Sequence, residues 1–144
     1  MNNIFYQLQT PVNMRQMLFI GHKLCEYDYW LDTCRTVDSA GVAWEKYRIC
    51  AVYTFASDPQ ALQGVTFEKE ELLTVIHEFG HLVGAEDHYG QGCLTTQEMK
   101  EKYSVDTFNG ACMYGENILT RNSSEYEQIV NNLVICDGCK MLIE

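Results

Sequence analysis

The sequence predicts an α+β fold, in which a small twisted mixed sheet packs on one amphipathic helix. Short runs of aromatic and β-branched residues occur only in the N-terminal half, and such runs are typical of strands. One long pattern of helical period follows them, and a stretch rich in glycine, cysteine and polar residues comes after it. This last part predicts a loop-rich C-terminal half closed by a terminal helix. With 144 residues and only two prolines, the chain is expected to form a single domain, 1–144.

The sheet is predicted from two segments. Residues 17–20 form a short apolar run that Gly21 ends, and residues 47–56 form a longer run that ends before Pro59. Glycine and proline interrupt strands, so these positions mark boundaries. Residues 23–45 are aromatic but irregular and predict no particular element. The closing helix is predicted within roughly 125–134.

The central helix is predicted to begin after Thr66 as N-cap and to run to about Gly84. Glu68 and Glu70 lie in its first turn, where negative charge interacts favourably with the helix dipole. Glycine at the end suits a turn with a left-handed backbone. The helical period separates two neighbouring faces. The first face is predicted to pack into the core and carries Leu72, Ile76, Phe79 and Val83. The second face is predicted to line a cleft and carries Leu73, His77, Gly80, His81 and Gly84.

The negative net charge of the chain argues against two classes of partner. The formal net charge is −10 and the isoelectric point lies near 4.7, so nucleic acid and anionic membrane surfaces would be repelled. No run approaches the roughly 20 apolar residues that span a bilayer, and residues 1–10 lack the features of a signal peptide. We expect a monomer without nucleic-acid or membrane partners, cytoplasmic if the chain is complete and secreted if a leader has been removed.

The cleft face carries the residues of a metal site. His77 and His81 are one helical turn apart, so both imidazoles can bind one Zn²⁺ ion. Glu78 follows the first histidine and points to the side where a bound water would lie. A carboxylate there can take the proton of a water that attacks a carbonyl, and then deliver it to the leaving amine. This is the chemistry of the H-E-x-x-H motif of zinc peptidases, with Glu78 as general base.

Residues 77–87 resemble the extended metzincin signature H-E-x-x-H-x-x-G-x-x-H/D. The resemblance implies a third zinc ligand at Asp87, since Gly84 turns the chain back toward the metal, and aspartate at this place is similar to the snapalysin type. His88 is one residue out of register and is the alternative third ligand. The resemblance also implies a methionine turn beneath the zinc, for which Met113 is the candidate.

Seven cysteines are a high count for this length. Four of them resemble the structural zinc site of archaemetzincins, which ends in a C-x-x-C motif: Cys93, Cys112, Cys136 and Cys139. The resemblance implies a second, structural zinc. The spacing equally allows disulfides, for example between Cys93 and Cys112, as in a secreted enzyme. Both alternatives stay open, and the odd count leaves at least one cysteine outside any set of pairs.

The sequence therefore predicts a metalloendopeptidase that holds one catalytic zinc and cleaves a peptide or protein substrate. Three alternatives remain. The chain could be a purely structural zinc domain, which needs no base beside the metal. The cleft could capture peptides without cutting them, although such a module needs no base at Glu78. A gluzincin-type peptidase would instead take its third ligand from a downstream helix, where Glu98 and Glu101 are the candidates; otherwise these two residues form a solvated helix face.

Overall fold

The computed structural model describes residues 14–20, 25–28, 33–36, 40–53, 66–119 and 124–143. The described part of the chain has an α+β architecture, in which five short strands precede four α-helices. The strands are β1 Gln16–Ile20, β2 Cys25–Asp28, β3 Thr33–Thr36, β4 Gly41–Trp44 and β5 Ile49–Tyr53. The helices are α1 Phe67–His81, α2 Thr96–Tyr103, α3 Ser124–Asn132 and α4 Asp137–Leu142.

The predicted small mixed sheet is confirmed. Strand β5 lies at its centre, parallel to β1 and antiparallel to β4, and all five of its residues are buried. A short 3-10 helix, Glu45–Tyr47, separates β4 from β5, and Arg48 reverses the chain with a φ of 57°. The predicted strand 47–56 therefore begins two residues late, and residues 54–56 lie outside the described part. Strands β2 and β3 form a separate antiparallel pair, within the stretch for which the sequence predicted no element.

Helix α1 packs against β4, β5 and α3. Thr66 precedes it with an extended backbone, but its side chain makes no capping hydrogen bond. The helix ends at His81, and three residues later Gly84 adopts a φ of +105°. A Cβ atom there would lie 2.5 Å from the backbone oxygen of Leu142. Glycine is therefore required at this turn for both conformation and space, as the sequence predicted.

The prediction of which face of α1 enters the core was wrong. Leu72 and Phe79 are 47% and 43% exposed, whereas Leu73 is only 4% exposed. His77 and Gly80 are buried on the same side as Leu73. The histidine-bearing face is both core and cleft wall, because the C-terminal half packs directly against it.

Most of the described core belongs to the loop-rich C-terminal half. Met99, Phe108, Tyr114 and Ile129 are fully buried there together with Cys112 and Cys139. The predicted closing helix is α3, and α4 follows it as a short element that the sequence did not predict. No helix in the described ranges combines the length and apolar character needed to cross a bilayer.

Candidate metal centres

His77, His81 and Asp87 meet at the C-terminal end of α1. The Nε2 atoms of the two histidines are 3.1 Å apart, and Oδ1 of Asp87 lies 3.5 Å from each of them. Ligands bound at about 2.0 to 2.1 Å by a tetrahedral zinc are separated by about 3.3 Å. The three atoms thus form a triangle of the size that one face of such a coordination shell requires.

Hydrogen bonds orient both imidazoles toward this point. Nδ1 of His77 lies 2.8 Å from the backbone oxygen of Met113, and Nδ1 of His81 lies 2.8 Å from that of Ala85. Because a carbonyl oxygen only accepts, each Nδ1 carries the proton and each Nε2 presents a lone pair. Burial, and then the neighbouring His81, lowers the pKa of His77 to about 3. His77 is therefore neutral at physiological pH, as metal binding requires.

The converging lone pairs indicate a cation. Oδ1 of Asp87 is buried and, among the described residues, no hydrogen bond reaches it. The hydroxyl of Tyr89 lies 3.2 Å from Nε2 of His77, but it has a single proton to donate. Three electron pairs that face each other at 3.1 to 3.5 Å repel one another unless a positive charge lies between them. The residues present therefore fit a metal ion.

Glu78 lies beside this cluster, in a cleft whose other wall is β4. The cavity has a volume of about 370 Å³ and is bounded by Gly41, Val42 and Ala43 of that strand. A Cβ atom on Gly41 would lie 2.5 Å from Cγ of Glu78, so the carboxylate packs directly on the strand backbone. Glu78 is 7% exposed. Burial, and then the charge of Asp87, raises its pKa to about 8, and a cation bound nearby would lower it again.

A second cluster is fully enclosed. His88, Cys112, Cys136 and Cys139 are all buried, and their ligand atoms lie within 4.8 Å of one another. The sulfurs of Cys112 and Cys139 are 3.8 Å apart, and Nε2 of His88 lies 4.0 Å from the sulfur of Cys136. Thiolates bound to a tetrahedral zinc at about 2.3 Å are separated by about 3.8 Å. These buried groups could bind one metal ion.

Local structure supports each donor of the buried cluster. Cys136 is the N-cap residue of α4 and Cys139 lies in that helix, so the C-x-x-C motif wraps the helix start. Backbone N–H groups of Tyr114 and Cys136 donate to the sulfur of Cys112, over 3.5 and 3.2 Å. Nδ1 of His88 lies 3.1 Å from the hydroxyl of Thr96. Hydrogen bonds from Cys112 and then Cys139 lower the pKa of the Cys136 thiol, which favours the thiolate.

The membership of the buried cluster differs from the sequence prediction. Cys93 lies outside it, half-buried at the edge of another pocket that also contacts His81 and Asp87, and His88 stands in its place. His88 is therefore not positioned as the alternative third ligand of the cleft cluster. His88 forms a β-bridge with Gly115, and its imidazole enters the buried cluster, whereas the carboxylate of the preceding Asp87 enters the cleft cluster. The five cysteines whose side chains are described are free thiols; Cys25 and Cys34 have side chains outside the described set.

Tyr114 is the residue near the cleft site whose role the sequence did not indicate. Met113, the predicted methionine-turn residue, is fully buried and contacts His77 through its backbone oxygen. The ring of Tyr114 stacks on His77, with centroids 4.7 Å apart and planes at 22°. A Cβ atom on Gly80 would lie 1.6 Å from the Tyr114 hydroxyl. Gly80, inside the H-E-x-x-H segment, is therefore the feature of the sequence that could have predicted a close approach of another group to the helix.

Comparison with known proteins gives no relative. No family of known proteins matches the sequence, and no significant match is found to a curated protein or to a solved structure. The function therefore has to be inferred from the two clusters themselves.

Proposed function

We propose that this protein is a zinc-dependent endopeptidase of the metzincin type, with His77, His81 and Asp87 as ligands of the catalytic zinc. The observation that carries the proposal is the convergence of three potential ligand atoms at 3.1 to 3.5 Å, next to the buried carboxylate of Glu78 in an open cleft. Three protein ligands with an accessible fourth position are typical of catalytic zinc sites.

Zinc, when bound there, lowers the pKa of a coordinated water and polarises a substrate carbonyl. Glu78 would take the proton from the attacking water and transfer it to the amine that leaves. Its position against the backbone of Gly41 fixes the carboxylate on the cleft side of the helix. The cavity of about 370 Å³ between α1 and β4 would receive the substrate next to this base. A peptide or protein remains the expected substrate, and a monomer the expected state.

The buried cluster would hold a second zinc with a structural role. Its four protein donors, three sulfurs and one nitrogen, leave no position for a substrate, and closed sites of this composition are structural. The four donors come from three places in the C-terminal half: His88, Cys112 and the C-x-x-C segment 136–139. One ion would therefore tie together the part of the chain that contains most of the described core.

The gluzincin alternative has little support. Glu98 accepts hydrogen bonds from the backbone and hydroxyl of Thr95 in a capping box at the start of α2, and Glu101 accepts one from Gln97. Both carboxylates are engaged on an exposed face, whereas Asp87 already lies beside both histidines. The binding-module alternative predicts the same zinc site but no cleavage, and only an activity measurement separates it.

The test compares Glu78→Gln with Glu71→Gln, a matched change on the same helix outside the cleft cluster. We expect Glu78→Gln to bind the same amount of zinc and to lower kcat/KM for peptide hydrolysis by at least about a hundredfold, as expected on loss of a general base. Glu71→Gln should retain activity. Full hydrolysis by folded, zinc-loaded Glu78→Gln would refute the assigned base. Cleavage of a peptide library by the wild type is followed by mass spectrometry. If the wild type binds library peptides and cleaves none of them, the binding module is favoured.

A further inference from the structure

We propose that the two metal centres are coupled, so that metal in the buried cluster raises the affinity of the cleft cluster, and that Tyr114 is the positioning residue that transmits the effect. The proposal rests on the metal-binding part of the proposed function and not on hydrolysis. Two short segments of chain connect the clusters: residues 87–88 and residues 112–114.

The first connection is a single peptide bond. Asp87 offers its carboxylate to the cleft cluster, and His88 offers its imidazole to the buried one. The N–H of His88 donates to the backbone oxygen of Tyr114 over 2.7 Å, and His88 forms a parallel bridge with Gly115. A metal that fixes His88 therefore also fixes the backbone from which Asp87 extends.

The second connection runs through three consecutive residues. Cys112 is a donor of the buried cluster, and the backbone oxygen of Met113 accepts the hydrogen bond that orients His77. The N–H of Met113 in turn donates to the backbone oxygen of Val134 over 2.8 Å, two residues before Cys136. The carbonyl of Met113, which selects the tautomer of His77, therefore belongs to a residue that follows Cys112 in the chain and is hydrogen-bonded to the segment preceding Cys136.

Tyr114 contacts both clusters. Its N–H donates to the sulfur of Cys112, while its ring stacks on His77 and meets His81 edge-on at 5.4 Å. Its hydroxyl donates to the backbone oxygens of Ile76 and His77, over 3.2 and 3.1 Å. The side chain therefore packs into the space left by Gly80 and holds the histidine-bearing turn of α1 against the cysteine segment.

A coupling of this kind has a defined sign. Without metal in the buried cluster, three thiols and an imidazole lose their common partner, and the segment 112–114 is less ordered. Binding at the cleft must then also order Met113, Tyr114 and Asp87, which weakens its apparent affinity. By linkage, metal in the cleft must strengthen binding in the buried cluster by the same factor.

The experiment titrates the full-length, reduced, metal-free protein with Co²⁺. Of the two clusters described, the buried one contains cysteines and gives sulfur-to-cobalt charge-transfer absorption, whereas the cleft cluster of His77, His81 and Asp87 gives ligand-field absorption alone. We expect the charge-transfer signal to saturate before the cleft signal in the wild type. Cys136→Ser should weaken cobalt binding at the cleft by at least tenfold, although it changes no cleft ligand.

Two variants test Tyr114 directly. Tyr114→Phe keeps the ring and loses the hydroxyl contacts, and Tyr114→Leu loses both, so we expect cleft affinity to fall in that order while the charge-transfer intensity stays constant. Tyr47→Phe, in the 3-10 helix before β5, is the matched control and should change neither signal. Urea unfolding of each variant separates this effect from a merely structural role, which would lower stability without changing the cleft affinity of folded protein.

Each outcome decides the proposal. Cleft affinity within twofold of wild type in Cys136→Ser overturns the coupling. If that variant does not fold, unchanged cleft affinity in both Tyr114 variants overturns it instead. Coupled cobalt binding without any peptide hydrolysis would refute the peptidase assignment and leave the coupling intact, whereas hydrolysis with two independent sites would do the reverse.

Discussion

The two candidate metal centres meet in the sequence at Asp87 and His88 but differ in the number and the exposure of their donors. The cleft cluster has three donors, and a cavity of about 370 Å³ opens onto it. The buried cluster has four donors, each at most 4% exposed. Three donors with an open position permit a substrate to approach, and four enclosed donors exclude it. The neighbouring residues Asp87 and His88 therefore belong to different clusters, which are distinguished by their number of donors and by their exposure.

The largest expected effect comes from removing a donor of the buried cluster. Cys139→Ser should lose one of two zinc ions per chain and lower the free energy of unfolding by more than about 4 kcal/mol, because loss of a structural metal is among the most destabilising changes. Metal analysis and urea unfolding of reduced protein measure both quantities.

Cys93→Ser is the matched control for this change. Cys93 lies outside the buried cluster, so the variant should retain two zinc ions and nearly wild-type stability. Loss of one zinc from Cys93→Ser as well as from Cys139→Ser would instead restore the four-cysteine set implied by the archaemetzincin resemblance. One zinc per chain in fully reduced, active wild type would remove the structural site altogether.

A smaller effect should separate the neighbouring donors. Asp87→Ala should weaken cleft metal binding by at least about a hundredfold, since loss even of an outer partner of a ligand costs about 10- to 100-fold. It should leave the thiolate–cobalt absorption unchanged. His88→Ala should alter that absorption first and affect the cleft only through the coupling. The assignment fails if His88→Ala changes the cleft spectrum and leaves the thiolate spectrum as in wild type.

Local features of this molecule were predictable and long-range ones were not. The H-E-x-x-H helix, its glycine turn and the spacing to Asp87 follow from contacts within about a dozen residues, and the structure brings those donors together. The place of His88 depends on Cys112, which is distant in sequence. Spacing alone could not choose between Cys93 and His88, because that choice depends on which side chain the fold places beside Cys112, Cys136 and Cys139.

The same limit explains the error on the helix face. Periodicity identifies two faces of α1 but does not say which one a later segment will cover. Leu72 and Phe79 made the first face the more apolar one, yet the Tyr114 ring packs on the other. The irregular stretch 23–45 contains three strands of four residues each, which are too short to carry a clear periodic signal.

The smallest expected effect tests how β4 positions the base. Gly41→Ala places a methyl carbon 2.5 Å from Cγ of Glu78, so the carboxylate must move. We expect kcat for peptide hydrolysis to fall about three- to tenfold with unchanged zinc content, because the contribution of a general base depends on its geometry. A double-mutant cycle provides the control: in the Glu78→Gln background the same glycine change should have no further effect on residual kcat. An equal loss in both backgrounds would show that Gly41 affects substrate binding and not the base. Strand β4 would then have no part in positioning Glu78 beside the open cluster.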